Sequence, residues 1–145
     1  MIHKHTRLTP REHAVMRLII EGATDNQIAQ HLALTPPVVG QIIRRVRLKL
    51  GTPNRTATAV QYDRYYMPSQ AYLPPSEPIH DQEIRIMHLV IVGCSDHSIA
   101  QQLNIAPRTV RYHLCSIRHK LKAENRTVAA VSFDRHIRGI GTIGV

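Results

Sequence analysis

The chain carries one stretch of itself twice. Laid over each other without a gap, Leu8–Tyr66 and Ile79–Ile137 hold a constant offset of 71 residues. Identities include Glu12/Glu83, Met16/Met87, Gly22/Gly93, Asp25/Asp96, Ile28/Ile99, Pro36/Pro107, Val39/Val110, Arg47/Arg118, Lys49/Lys120, Asn54/Asn125, Arg55/Arg126, Thr56/Thr127, Asp63/Asp134 and Arg64/Arg135. A tandem duplication accounts for such a pattern and chance does not. Each copy has about 60 residues, a size that buries only about 60% of its unfolded surface and is marginal unless it packs on something else.

Punctuation and apolar spacing give four helices and no strand in each copy. In LTPREHAVMRLIIEG, Thr9 is placed as N-cap, Pro10 at the first helical position, Glu12 to complete a capping box and Gly22 as the stop. Thr24 with Gln27 opens a short second helix, and Ala33–Leu34 turn the chain. Thr35 is placed to cap a third helix entered by Pro36, and Asn54 to cap a fourth. Asp81, Ser95 and Asn125 are the corresponding caps of the second copy. Two short helices joined by a tight turn, with basic residues following, make a helix-turn-helix. The expected fold is therefore all-α, with two tandem four-helix units at 1–66 and 79–145. Between them, MPSQAYLPPSEP (67–78) holds four prolines and reads as an extended linker, whose 12 residues would reach ~37 Å in a polyproline conformation. That is close to the roughly 34–36 Å between successive major grooves on one face of DNA.

Composition narrows the function. Apolar residues make up 43% of the chain, but with no Trp and one Phe the core must be aliphatic. The balance of 19 Lys and Arg against 10 Asp and Glu gives a formal net charge of +9 and points to a polyanionic partner. A membrane is not expected, because no run of 18 apolar residues exists. The opening MIHKHTRL lacks a signal peptide's apolar core, so a cytoplasmic location is expected. Cys94 and Cys115 are too few for a disulfide framework. The sets His3/His5 and His88/Cys94/His97 lack four ligands at zinc-finger spacing. No nucleophile with its base, paired carboxylates or phosphate-cradling glycine loop is present, so neither an enzyme nor a cofactor is expected.

The strings LTPREHAVMRLIIEGATDNQIAQHLALT and EIRIMHLVIVGCSDHSIAQQLNIAPRTVRYHLCSIRHKLKAENRT closely resemble the LuxR/FixJ (GerE-like) DNA-binding domain of bacterial transcription regulators. The resemblance covers each copy from its first cap to its fourth helix. It implies that the third helix enters the major groove of duplex DNA, and that the fourth forms a dimer contact.

On the third helix of the second copy, Val110, Leu114, Ile117 and Leu121 share an inward stripe. The opposite face presents Arg108, Arg111, Tyr112 and Cys115, flanked by Thr109 and His113, at positions that reach base edges in the family. Arginine can bond guanine bidentately, and Thr or Tyr can bond bases or phosphates. Arg118, His119, Lys120 and Lys122 continue towards the DNA backbone. In the first copy the inward stripe survives as Val39, Ile43, Val46 and Leu50. The outward set becomes Pro37, Val38, Gly40, Gln41, Ile42 and Arg44, with basic charge shifted to Arg44, Arg45, Arg47 and Lys49. The second copy thus reads as the main base reader. The first either holds phosphates, reads a less demanding half-site through Gln41 and Arg44, or uses Val38 and Ile42 for a protein contact.

The expected function is a sequence-specific transcription regulator on two adjacent half-sites. The rival is an antiactivator or adaptor that pairs with another LuxR-type regulator through one copy. Tyr62, Tyr65, Tyr66 and Phe133 on the fourth helices would serve a homodimer, an intrachain pseudo-dimer or that foreign contact. Another transcription regulator or RNA polymerase is the further protein partner.

Overall fold

The structure is a computed structural model and describes residues 7–68 and 74–143. Eight helices follow in order: α1 (Pro10–Ile20), α2 (Asp25–Leu32), α3 (Pro36–Leu50), α4 (Arg55–Tyr66), α5 (Asp81–Ile91), α6 (Asp96–Leu103), α7 (Pro107–Leu121) and α8 (Arg126–Ile143). The described residues contain no strand, so the all-α reading holds.

Most helix starts obey the local chemistry. Thr9 accepts the Glu12 N–H at 3.1 Å, Thr24 and Gln27 form a complete capping box, and Asn54 and Asn125 each accept an N–H three residues on at 2.9 Å. Three expectations need correction. His80, not Asp81, is the N-cap of α5, with its N–H bonded to Glu83 Oε1 at 2.9 Å. Thr35 makes no side-chain cap bond. The Glu12 carboxylate takes Lys49 Nζ, at 2.7 and 2.9 Å, where a return bond to the Thr9 N–H was expected. A buried acid gains more from an ammonium than from one backbone amide.

The two copies share one core, and the most extensive helix packing in the chain is α4 against α8. The contacts across this seam come in reciprocal pairs offset by 71. Arg64 Nε donates to both oxygens of Asp134 at 3.1 and 3.0 Å, and Arg135 Nε donates to both oxygens of Asp63 at the same distances. Asn54 Nδ2 donates to the Gly93 carbonyl at 2.8 Å, and Asn125 Nδ2 to the Gly22 carbonyl at 3.5 Å. The hydroxyls of Thr56 and Thr127 meet each other at 3.0 Å. Residue i touching j while j's counterpart touches i's counterpart is the signature of an isologous interface. The copies are therefore related by a pseudo-twofold axis, with Thr56 and Thr127 at its centre.

Two glycines are required here. Gly22 and Gly93 end α1 and α5 at φ +100 and +101, and a Cβ on Gly93 would lie 2.4 Å from Pro53 in the loop of the other copy. Tyr62 and Phe133, expected on an exposed face, are 0% and 1% exposed and fill the core, Tyr62 against His13 of α1 and Phe133 against His88 of α5. Tyr65 remains exposed.

Because α4 and α8 pack directly, the separation of the copies is set by that contact and not by the reach of the connector. Residues 69–73 of the connector lie outside the described residues. Its last part is docked, since the Ser76 N–H and hydroxyl both donate to the Lys120 carbonyl, at 2.9 and 3.2 Å.

Asp63 is fully buried and receives Arg135 and Arg138, so removing its carboxylate leaves guanidinium groups without their counter-charge. Asp63→Ala should lower unfolding stability in urea by about 3–5 kcal/mol. The wild type should unfold in a single transition, whereas two separate transitions would mean that the copies fold independently.

Candidate nucleic-acid interface

Helices α3 and α7 each have 15 residues and pack on the preceding short helix, completing the two helix-turn-helix units. Val39, Ile43, Val46 and Leu50 of α3, and Val110, Leu114, Ile117 and Leu121 of α7, are buried as their spacing requires. An ion pair repeated in both copies anchors each helix to its own first helix: Lys49 to Glu12 at 2.7 Å, and Lys120 to Glu83 at 2.6 Å.

The opposite faces carry most of the expected site. On α7, Arg108, Arg111, Tyr112, Cys115, Arg118 and His119 are exposed, with Tyr112 at 70%, while Thr109 and His113 are half-buried. On α3, Pro37, Gln41, Arg44 and Arg45 are exposed, and Val38 and Arg47 are half-buried.

Two assignments change. Lys120 is only 5% exposed, and its ammonium donates to Glu83 and, at 2.9 Å, to the Pro78 carbonyl, so it belongs to the fold and not to the outward row. Ile42 is 2% exposed and joins the core, which removes it from any surface contact. Arg47 and Arg118 are less free than they look in the sequence. Arg47 donates to the Pro53 carbonyl at 2.7 Å, and Arg118 to the carbonyls of Ala123, at 3.4 Å, and Glu124, so each pins the loop that leads into the next helix. A usable signal was present, because Lys49/Lys120 and Arg47/Arg118 are identical between copies whose outward faces otherwise differ.

The remaining cations of these two faces are not used as joints of the fold. Among the described residues, Arg44, Arg45, Arg108 and Arg111 form no ion pair, whereas Arg55, Arg64, Arg126 and Arg135 each hold a carboxylate of the fold. The helix starts differ in the same sense. The first turns of α1, α2, α5 and α6 contain Glu12, Asp25, Asp81 with Glu83, and Asp96, while those of α3 and α7 contain no acid and no side-chain cap bond. The positive dipole ends of α3 and α7 are therefore not offset by a carboxylate in their own first turns. Past the end of this row, Cys115, Arg118, His119 and Lys122 line an open groove of about 750 Å³ beside the docked connector.

Among the described residues, no group of three or more His, Cys, Asp or Glu is placed to hold a metal ion, and His3 and His5 lie outside them. No described helix is long and apolar enough to cross a membrane.

Comparison with known proteins gives the family. The GerE domain profile, which describes bacterial regulatory proteins of the luxR family, matches residues 6–62 and again residues 78–133. The chain belongs to the luxR family. Among relatives of this luxR-family chain, the HTH-type transcriptional regulator MalT of Vibrio parahaemolyticus is 24% identical over 143 residues, and that of Vibrio campbellii 23%. Each alignment covers 92% of this chain but only 16% of the relative, so the chain spans about a sixth of the length of the relatives it matches. No solved structure matches it.

Burial opposes ionisation of Glu83 and is the largest single influence on it. Hydrogen bonds from Lys120, the His80 N–H and Ser116, with the Lys120 charge, outweigh that influence and hold the carboxyl below its usual range. A depressed carboxyl stabilises the fold above its unfolded pKa, and that contribution is lost as pH falls through the folded value. Stability should therefore decline below about pH 4, and Glu83→Gln should blunt the decline. Lys120→Met should act on the fold, costing about 3–5 kcal/mol in urea unfolding because it strands the buried Glu83 charge.

Proposed function

We propose that this luxR-family chain, a DNA-binding transcription regulator by family, reads two half-sites of duplex DNA with a single polypeptide, and that α7 is its main base reader. The observation that carries the reading is the pair of arginine-bearing helix faces without ion pairs, carried on one shared core and related by a pseudo-twofold axis. A duplex offers dyad-related half-sites, so the symmetry of the protein matches inverted and not directly repeated arms. Arg108 and Arg111 contact guanine, while Thr109, Tyr112, His113 and Cys115 contact neighbouring bases or phosphates. Arg118 and His119 extend the contact along the backbone, as Arg44, Arg45 and Arg47 do on α3 beside Pro37, Val38 and Gln41. The name of the MalT relatives, HTH-type transcriptional regulator, supports the same class.

The adaptor reading has less support. It needs a fourth-helix face open to a foreign regulator, but α4 and α8 bury Thr56, Asp63, Thr127 and Asp134 against each other.

Binding to a selected operator should be strongly salt-dependent. With about 6–10 phosphates neutralised, affinity should fall roughly 10³- to 10⁵-fold between 50 and 200 mM salt, and a flat dependence would count against DNA as the partner. Arg111→Ala should cost about 1–3 kcal/mol on that operator and relax the base preference in one arm, while Arg45→Ala should weaken all sequences alike. Sedimentation of the complex should show one chain per two-arm site. A stoichiometry of two chains would remove the intrachain pseudo-dimer from the reading.

A further inference from the structure

The duplication supplies an internal control for each outward position. At the middle of the reading face, α7 has the exposed Arg111 and α3 has Gly40. Gly40 lies inside a 15-residue helix, where glycine is unfavourable relative to alanine. The fold gives no reason for it. Its φ is not positive, and a Cβ built there meets nothing within 4 Å, in contrast to Gly93 with Pro53 at 2.4 Å. One turn earlier, the exposed Arg108 of α7 corresponds to the exposed Pro37. The buried stripe, the Lys49–Glu12 anchor and the loop bond of Arg47 are all retained in α3. So α3 is an intact recognition helix from which two long cationic donors are missing.

We infer that Gly40 fixes the orientation of the chain on its operator: α7 takes the arm whose guanine Arg111 reads, and α3 takes an arm in which the matching base pair is left unread. The inference rests on the DNA-reading function proposed above. In a homodimer the two arms are read by identical side chains, and the preferred site is symmetric. Here the frame is pseudo-symmetric and the readers are not, so the operator is lopsided and the chain binds it one way round.

The test is selection of binding sites from random duplexes with the full chain, comparing the wild type with Gly40→Arg and Gly40→Ala. The wild type should select a site with guanine fixed in one arm only. Because the space around position 40 is open, Gly40→Arg should fold like the wild type by circular dichroism. It should also bind a symmetric duplex, with the α7 half-site in both arms, about ten- to a hundredfold more tightly than the wild type does. Gly40→Ala should raise the melting temperature without that gain, separating base reading from helix stabilisation. A palindrome selected by the wild type would overturn the inference. So would a folded Gly40→Arg protein with no gain on the symmetric duplex, the result expected if α3 meets a protein. Loss of DNA binding in Gly40→Ala would overturn it as well, by showing that the glycine serves close approach. Failure of the wild type to select any DNA would instead sink the underlying function.

Discussion

Two buried carboxylates determine how the halves of this protein sit on each other. Asp63 and Asp134 lie at the α4–α8 seam with side chains 0% and 3% exposed, where an unpaired charge would be prohibitive. Each receives a guanidinium from the opposite copy, and Arg138 reaches both, at 2.8 Å to Asp63 and 3.0 Å to Asp134. A purely apolar seam can slide, because burial of apolar area is non-directional. Bidentate arginine–carboxylate pairs cannot, because planar fork and planar acid meet in one alignment. The third arginine has no counterpart in the first copy, where Met67 stands at the equivalent position. The symmetry is therefore broken at the seam itself, and the cage carries an excess of positive over negative groups.

Joining two copies in one chain changes what a recognition helix is free to become. When two chains associate, any substitution on the reading face appears in both arms at once. Within one chain α3 and α7 can diverge, and their outward faces have done so, while the stripes that seat them have not. The seam also forms without the translational and rotational cost of bringing two molecules together. If both copies engage one duplex, the second acts at an effective concentration that does not depend on how much protein is present.

Most of the fold was legible in the sequence because its local determinants are redundant. Caps, stops and apolar stripes each appear twice in one frame, so an ambiguous helix start in one copy is resolved by the other. What was hidden are decisions made by partners distant in the chain. Lys120 looks like one more cation in a basic row, and only the return of Glu83, 37 residues earlier in sequence, turns it inward. Ile42 sits on the flank of its helix, where 3.6-residue periodicity leaves inside and outside undecided. Tyr62 and Phe133 look like surface residues because a fourth helix alone gives no sign of what covers it, and the cover includes the first helix of the same copy, through His13 on Tyr62 and His88 on Phe133. For Lys120 the better guide is comparison of the repeats, because both members of its ion pair, Glu12/Glu83 and Lys49/Lys120, are identical at the 71-residue offset.

The same comparison explains where the charge of +9 is felt. Glu12, Asp25, Asp63, Glu83, Asp96 and Asp134 each neutralise a cation that fastens one element to another. These acids are thereby held at the joints of the fold, and the first turns of α3 and α7 have none. Part of the positive excess lies on the outward faces of α3 and α7, where Arg44, Arg45, Arg108 and Arg111 are exposed. Under the proposed reading, a polyanion would meet these two faces first, and positions 40 and 111 are where they differ most, glycine on α3 against arginine on α7.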